Sequence, residues 1–170
     1  MSFDITGTVK AMLNKEFWDT NGLTDLEIAK ILAKYKSPLL GEGLQKLINK
    51  LRSTGVNPGI LLAMTIGECQ LATGEAHPKY IIGYDYDGFA GIVTPWYKEG
   101  TVNYPETYKN PWCVVANVSG WEQSLDVAVA TLKAGAKQNS SNPFDGAMAR
   151  YNPENYGNYI AGVYSTTVKK

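Results

Sequence analysis

Apolar side chains recur along this chain at the three- and four-residue spacing of helices, broken once by a long stretch of different character. From Ile5, the positions Val9, Met12, Leu13 and Phe17 fall near one face and predict a first helix, although Gly7 weakens the pattern. Thr24 followed three residues later by Glu27 has the form of a capping box, and Ile28, Ile31, Leu32 and Tyr35 carry a second helix until Ser37-Pro38 breaks it. Leu44, Leu47, Ile48 and Leu51 predict a third, with Gly55 placed to end it. Asn57-Pro58 then reads as a helix start, and from Ile60 to Ile66 the chain is apolar almost all round. Such a helix belongs in the middle of a core. It runs into Gly67-Glu68-Cys69-Gln70, so a carboxylate stands where the buried helix surfaces.

From about Gly74 to Gly120 the helical spacing disappears, and Tyr80, Tyr84, Tyr86, Phe89, Trp96, Tyr97, Tyr104, Tyr108 and Trp112 are separated by Gly, Pro and Asp. This predicts mostly loops, with room for short strands. Aromatic-rich segments of this length suit a binding surface better than a linker, because linkers are poor in such residues. Ser119 with Glu122 repeats the capping-box pattern ahead of Leu125, Ala128, Val129 and Leu132. Asn142-Pro143 and Asn152-Pro153 each look like helix starts, the second opening a terminal helix with Tyr156, Tyr159, Ile160, Val163 and Tyr164 on adjoining faces. The expected class is mainly α.

At 170 residues the chain is long enough for one sizeable core and too short for two ordinary domains. We expect one compact domain, in which helices of residues 1–54 pack on a core of residues 55–170. Sixteen basic residues balance sixteen acidic ones, which removes the electrostatic case for a nucleic-acid partner or an anionic membrane. No apolar run approaches the ~20 residues that cross a bilayer, so no membrane insertion is expected. The amino end lacks the basic and apolar regions of a classical signal peptide. Two cysteines, Cys69 and Cys113, and a single histidine, His77, do not have metal-ligand spacing, so neither a metal nor an organic cofactor is expected.

Glu68 is the residue in this pattern with the clearest chemical use. A glycosidic bond is broken by protonating the leaving oxygen with a carboxylic acid that keeps its proton near neutrality, which requires a raised pKa. The apolar helix leading to Glu68 would desolvate it, and the negative end of that helix would further disfavour the carboxylate. Many helices nevertheless end in a glutamate with no role, so spacing alone leaves the residue ambiguous.

The order of features adds to this. Gly55-Val56-Asn57-Pro58, with Leu61-Leu62-Ala63 leading to Glu68, resembles the acid-bearing helix of bacterial and phage glucosaminidases and of lytic transglycosylases, peptidoglycan-cleaving enzymes of the lysozyme superfamily. Gly88-Phe89-Ala90-Gly91-Ile92 resembles the aromatic-glycine-isoleucine turn that those glucosaminidases place after the acid, and Ser119-Gly120-Trp121-Glu122-Gln123-Ser124-Leu125 resembles their next helix start. Tyr151-Asn152-Pro153, followed by Tyr156, Ile160 and Tyr164, is similar to their carboxyl-terminal tyrosine motif and to the Tyr-Asn motif of transglycosylases. The resemblance runs from Gly55 to Tyr164 and does not extend to the first fifty or so residues. It departs from the pattern at Cys69, where Ser or Thr usually follows the acid, in lacking a Gly-Trp-Gly stretch, and at Gly91-Ile92-Val93-Thr94, where transglycosylases tend to have Gly-Leu-Met-Gln.

The resemblance implies a single-domain lysozyme-like α+β fold, with the aromatic-rich segment forming a cleft. It implies β-1,4 glycan strands of peptidoglycan as substrate, Glu68 as general acid, Tyr151 beside the acid, and Asn152 as a substrate contact. A hydrolase would normally add a second carboxylate, for which Glu75, Asp85 and Asp87 are candidates and Asp87 the preferred one, although Asp87-Gly88 also suits a plain turn. Phe89, Ile92, Trp96 and Tyr97 are the expected sugar contacts, against the ordinary alternative that aromatics in a small domain are core. The missing export signal suits a phage or virion-associated wall-degrading component acting at the cell wall within a larger assembly. Three rivals stand beside this reading: a lytic transglycosylase, a glycan-binding protein without turnover, and a cysteine peptidase using Cys69 or Cys113 with His77, for which no third residue speaks.

Overall fold

The computed structural model describes residues 5–71, 89–93, 115–117, 120–153 and 155–169. It is mainly helical. Among the described residues there are seven α-helices, α1 (Ile5–Lys15), α2 (Asp25–Lys34), α3 (Leu44–Ser53), α4 (Pro58–Cys69), α5 (Gly120–Gln138), α6 (Pro143–Tyr151) and α7 (Tyr156–Val163), with a 3-10 turn at Pro38–Glu42 between α2 and α3 and a π turn at Tyr164–Val168 after α7. Two short antiparallel strands, β1 (Phe89–Val93) and β2 (Val115–Asn117), pair with Phe89 opposite Asn117 and Val93 opposite Val115. Four steps along β1 thus face two along β2, which is a bulged register.

The capping signals of the first half do what their chemistry allows. Thr24 Oγ1 accepts from the Glu27 N–H and Glu27 Oε1 accepts from the Thr24 N–H, a complete capping box at the start of α2. Gly55 takes φ +82°, the left-handed conformation that lets the chain turn away after α3. Four positions of α1 and of the turn after it show the amphipathic stripe: Leu13 and Phe17 are fully buried, while Val9 and Met12 pack at the edge of the core.

α4 is the central element, with every residue from Pro58 to Ile66 buried. Its first turn is held by Asn57, itself fully buried. Asn57 Oδ1 accepts from the Gly59 N–H at 2.8 Å, its Nδ2 donates to the Glu16 carbonyl at 3.1 Å, and its own N–H donates to the Phe17 carbonyl at 2.8 Å. One side chain therefore caps α4 and fastens it to the end of α1. Asn57→Ala is expected to cost about 2–3 kcal/mol, the worth of an N-cap together with a buried N–H left without an acceptor. Urea denaturation measures it, and a loss under about 0.5 kcal/mol, the size of an indifferent surface change, would contradict the role.

At its other end α4 stops abruptly. Gln70 and Leu71 both take the left-handed conformation, φ 50° and 54°, and their N–H groups return to the Ile66 and Thr65 carbonyls. Non-glycine residues in that conformation cost roughly 1–2 kcal/mol each. The turn is secured by burial of Leu71 and by Ser37, whose hydroxyl donates to the Leu71 carbonyl at 2.6 Å.

α5 and α6 cross at a pair of glycines. A Cβ on Gly135 would meet the Gly146 carbonyl oxygen, and one on Gly146 would meet the Gly135 carbonyl oxygen, so the two backbones touch where both residues lack a side chain. α1 joins this pair from the other side, through Asn14 Nδ2 to Asp145 Oδ2 at 3.1 Å and the Asp145 N–H to Asn14 Oδ1 at 3.0 Å.

The terminal helix does not begin at Asn152-Pro153. α6 ends at Tyr151, Asn152 is extended at φ −157° and ψ 108°, and α7 starts at Tyr156 after Asn155, which is left-handed at φ 60°. An Asn-Pro pair either opens a helix or closes one, since the residue before proline is pushed out of the helical region; here it closes α6. Phe89 and Ile92 likewise lie on a strand and not in a turn. The expected capping contact of Ser119 lies outside the described residues, while Glu122 forms an ion pair with Lys46 of α3 at 3.0 Å. Buried residues from Leu13 to Leu51 and from Val56 to Val168 share a single hydrophobic cluster. Among the described residues no helix is long and apolar enough to cross a membrane.

Candidate active site

The last turn of α4 and the first turns of α7 lie against each other because Gly67 has no side chain. A Cβ there would fall 2.9 Å from the Tyr159 ring and 3.4 Å from Ile160 Cδ1, and the Tyr159 hydroxyl donates to the Gly67 carbonyl at 3.0 Å. This contact brings Tyr156 over Glu68. The Tyr156 hydroxyl donates to Glu68 Oε1 at 2.5 Å.

Tyr156 is buried and stands in a row of rings, with Tyr151 at 5.1 Å between centroids and Tyr159 at 6.0 Å. Burial, reinforced by the neighbouring Tyr151 and Glu68, pushes its hydroxyl well above the ordinary phenol range, so Tyr156 keeps its proton at any working pH. Glu68 is reached by solvent as a residue, yet protein crowds its carboxyl. That burial raises its pKa above the ordinary carboxylate value, opposed by the Tyr156 hydrogen bond, which favours the ionised form. Water at the open side tempers the rise without reversing it. Among the described residues no Lys or Arg forms an ion pair with Glu68, and no group of His, Cys, Asp and Glu has the arrangement to hold a metal ion.

Tyr151, the tyrosine expected beside the acid, lies one ring away and packs on Tyr156. Asn152 follows it as the exposed, extended residue that caps the end of α6. Phe89 and Ile92 are on β1. Asp87, Trp96 and Tyr97 lie outside the described residues, as do Glu75, Asp85, His77 and Cys113. Tyr156 is the residue that touches Glu68, although the tyrosine motif that includes it gave it no role. It stands in the helical periodicity of α7 as one more core position, and only the packing of α7 on α4 distinguishes it.

The arrangement is a crowded carboxyl with a raised pKa, on a residue that solvent reaches, oriented by a tyrosine that remains a neutral donor, which is suited to delivering a proton. Tyr156→Phe removes the bond that favours the carboxylate, so the titration midpoint of Glu68 is expected to move further up. Carbon-13 NMR of the Glu68 carboxyl reads this directly; a downward shift would show that the Tyr156 hydroxyl does not favour the carboxylate.

Comparison with protein-family models, with curated proteins and with solved structures finds no match to this chain.

Proposed function

We propose that this protein cleaves the β-1,4 bonds of peptidoglycan glycan strands, as an N-acetylglucosaminidase or muramidase, with Glu68 as general acid. The observation that carries the proposal is the pairing of Glu68 with Tyr156 at the end of a buried helix, where desolvation holds the carboxyl toward its protonated form. Glycoside cleavage needs a group in that state to protonate the departing oxygen. In this proposal the body is a lysozyme-like domain whose cleft lies between the end of α4 and the aromatic segment. Tyr151 helps to position the reacting sugar, and Asn152, Phe89, Ile92, Trp96 and Tyr97 are its further contacts. Asp87 or a group of the sugar itself stabilises the positive charge that develops at the ring carbon. A role at the bacterial wall, as part of a virion or another wall-degrading assembly, goes with this activity.

The test is digestion of purified peptidoglycan, read by loss of turbidity and by mass spectrometry of the fragments. Reducing ends at N-acetylglucosamine or at N-acetylmuramic acid identify the bond cut. Anhydro ends would assign a lytic transglycosylase instead. Binding to several wall types with no fragments released would overturn the catalytic proposal in favour of a glycan-binding protein, the outcome for which Cys69 in place of Ser or Thr is the best sequence argument.

A further inference from the structure

Tyr159 stands on α7 three residues after Tyr156, on the same side of the helix, and meets the end of α4 one step along from the acid. Tyr156 reaches Glu68, while Tyr159 reaches Gly67, the residue before it. The two tyrosines are otherwise unlike. Tyr156 is buried, but Tyr159 is 51% exposed, more than a ring covered on both faces would show. Among the described residues one other aromatic side chain, Trp18, is comparably exposed, and it lies beyond the end of α1, set edge-on against Phe17.

The Tyr159 ring is also held in place. Cε1 and the hydroxyl are its atoms nearest to where a Cβ of Gly67 would stand, so one edge of the ring rests on α4. The hydroxyl donates to the Gly67 carbonyl at 3.0 Å, and the Tyr156 ring stands 6.0 Å away, tilted by 50°. With its proton bonded to the α4 backbone, the phenol has its apolar face left to offer. A ring fixed at both ends, by its helix and by its hydroxyl, binds without the loss of side-chain freedom that a loose surface aromatic incurs. Glu68 is likewise reached by solvent. An open, anchored ring thus lies next to the open residue that carries the acid.

A pyranose has C–H bonds on its faces and hydroxyl and acetamido groups at its edge, so it stacks on an aromatic face while its polar edge stays in water. We infer that Tyr159 is the stacking platform for one of the two sugars that flank the bond to be cut. A sugar on that ring is held beside Glu68, in the fixed relation to the acid that a fast reaction requires. This inference rests on the proposed glycan substrate and deepens it, since it names the residue that lays the glycan against the acid. Tyr159 binds the sugar and takes no part in the proton transfer.

The experiment is titration with chitotriose of the full chain carrying Glu68→Gln, which prevents turnover, with carbon-13 labels in the tyrosine rings read by NMR. The Tyr159 ring signal, identified by its loss in Tyr159→Leu, is expected to shift. Tyr159→Leu keeps an apolar side chain and gives up the flat face. It should weaken chitotriose about two- to twelvefold, the worth of one ring on an aromatic face, and raise KM on soluble glycan strands by a similar factor. Tyr159→Phe keeps the face and gives up only the tether, so it should recover most of that loss. The titration midpoint of Glu68, read in the chain that retains the acid, should stay in place in Tyr159→Leu. A silent Tyr159 ring, or parent-like binding by Tyr159→Leu, overturns the platform. So does a displaced Glu68 midpoint with Tyr159→Phe as weak as Tyr159→Leu, because the residue would then act through the packing of α7 on α4. Cleavage of peptidoglycan with a silent ring leaves the catalytic proposal standing and removes this one; a responsive ring without cleavage does the reverse.

Discussion

Gly146→Ala lowers the stability of this protein by about 3 kcal/mol, with a melting temperature some 6–12 °C below that of the parent. The added methyl group would enter the space of the Gly135 carbonyl, so the obstacle is backbone and no rotamer change relieves it. α5 and α6 have to move apart along their whole contact, and Phe144, Ala147 and Met148 lose packing with them. Alanine also gains about 1 kcal/mol of helix propensity over glycine, so the net cost measures how rigid the crossing is. Gly162→Ala is the control. Gly162 lies inside α7 with nothing within 4 Å of where its Cβ would stand, and alanine there should gain about 0.5–1 kcal/mol. Thermal melts of the two variants should move in opposite directions; if Gly146→Ala melts with the parent, the close crossing is wrong.

Glu68→Gln abolishes the proposed cleavage, with an expected loss of about 10²- to 10⁴-fold in rate, or about 3–5 kcal/mol of transition-state stabilisation. The carboxamide has the same shape and still accepts from Tyr156, so the fold is retained and the loss is specific to the missing proton. Stability moves the other way. The folded protein holds Glu68 above its ordinary value of 4.5, so folding favours the protonated acid and works against the carboxylate. The penalty is absent below that value, grows as pH rises through the folded-state pKa, and is full above it. Glutamine never ionises, so the variant should melt with the parent in acid and above it at neutral pH. A variant that melts with the parent in acid and below it at neutral pH would mean that Glu68 is stabilised as a carboxylate, and the case for a general acid would fall with it.

The sequence made much of the amino-terminal half legible because its signals are local. Thr24 with Glu27 and Asn57 with Pro58 each need only a few neighbouring residues to have their effect. The apolar run from Ile60 to Ile66, opened by Asn57-Pro58, reads as a buried helix, and Glu68 at its end follows from counting. What was not legible depends on contacts distant in sequence. Tyr156 reaches Glu68 across 88 positions, and nothing in its surroundings separates it from Tyr159 or Tyr164. Gly135 and Gly146 have meaning only when two helices are laid against each other. Asn152-Pro153 was ambiguous for another reason, since proline excludes helix on its amino side as effectively as it starts one on its carboxyl side.

The fastenings of α4 bear on how the protein can be cut down or fused. Asn57 ties its first turn to the carbonyls of Glu16 and Phe17, and Ser37 secures the left-handed turn that follows its last. Both anchors come from the first 54 residues, although the chemistry resembling known enzymes starts at Gly55. A fragment trimmed to that resemblance would carry its acid on a helix that has lost its anchors at both ends. Any shortened form of this domain, or fusion of it to another protein, therefore has to retain α1 and the Ser37 turn.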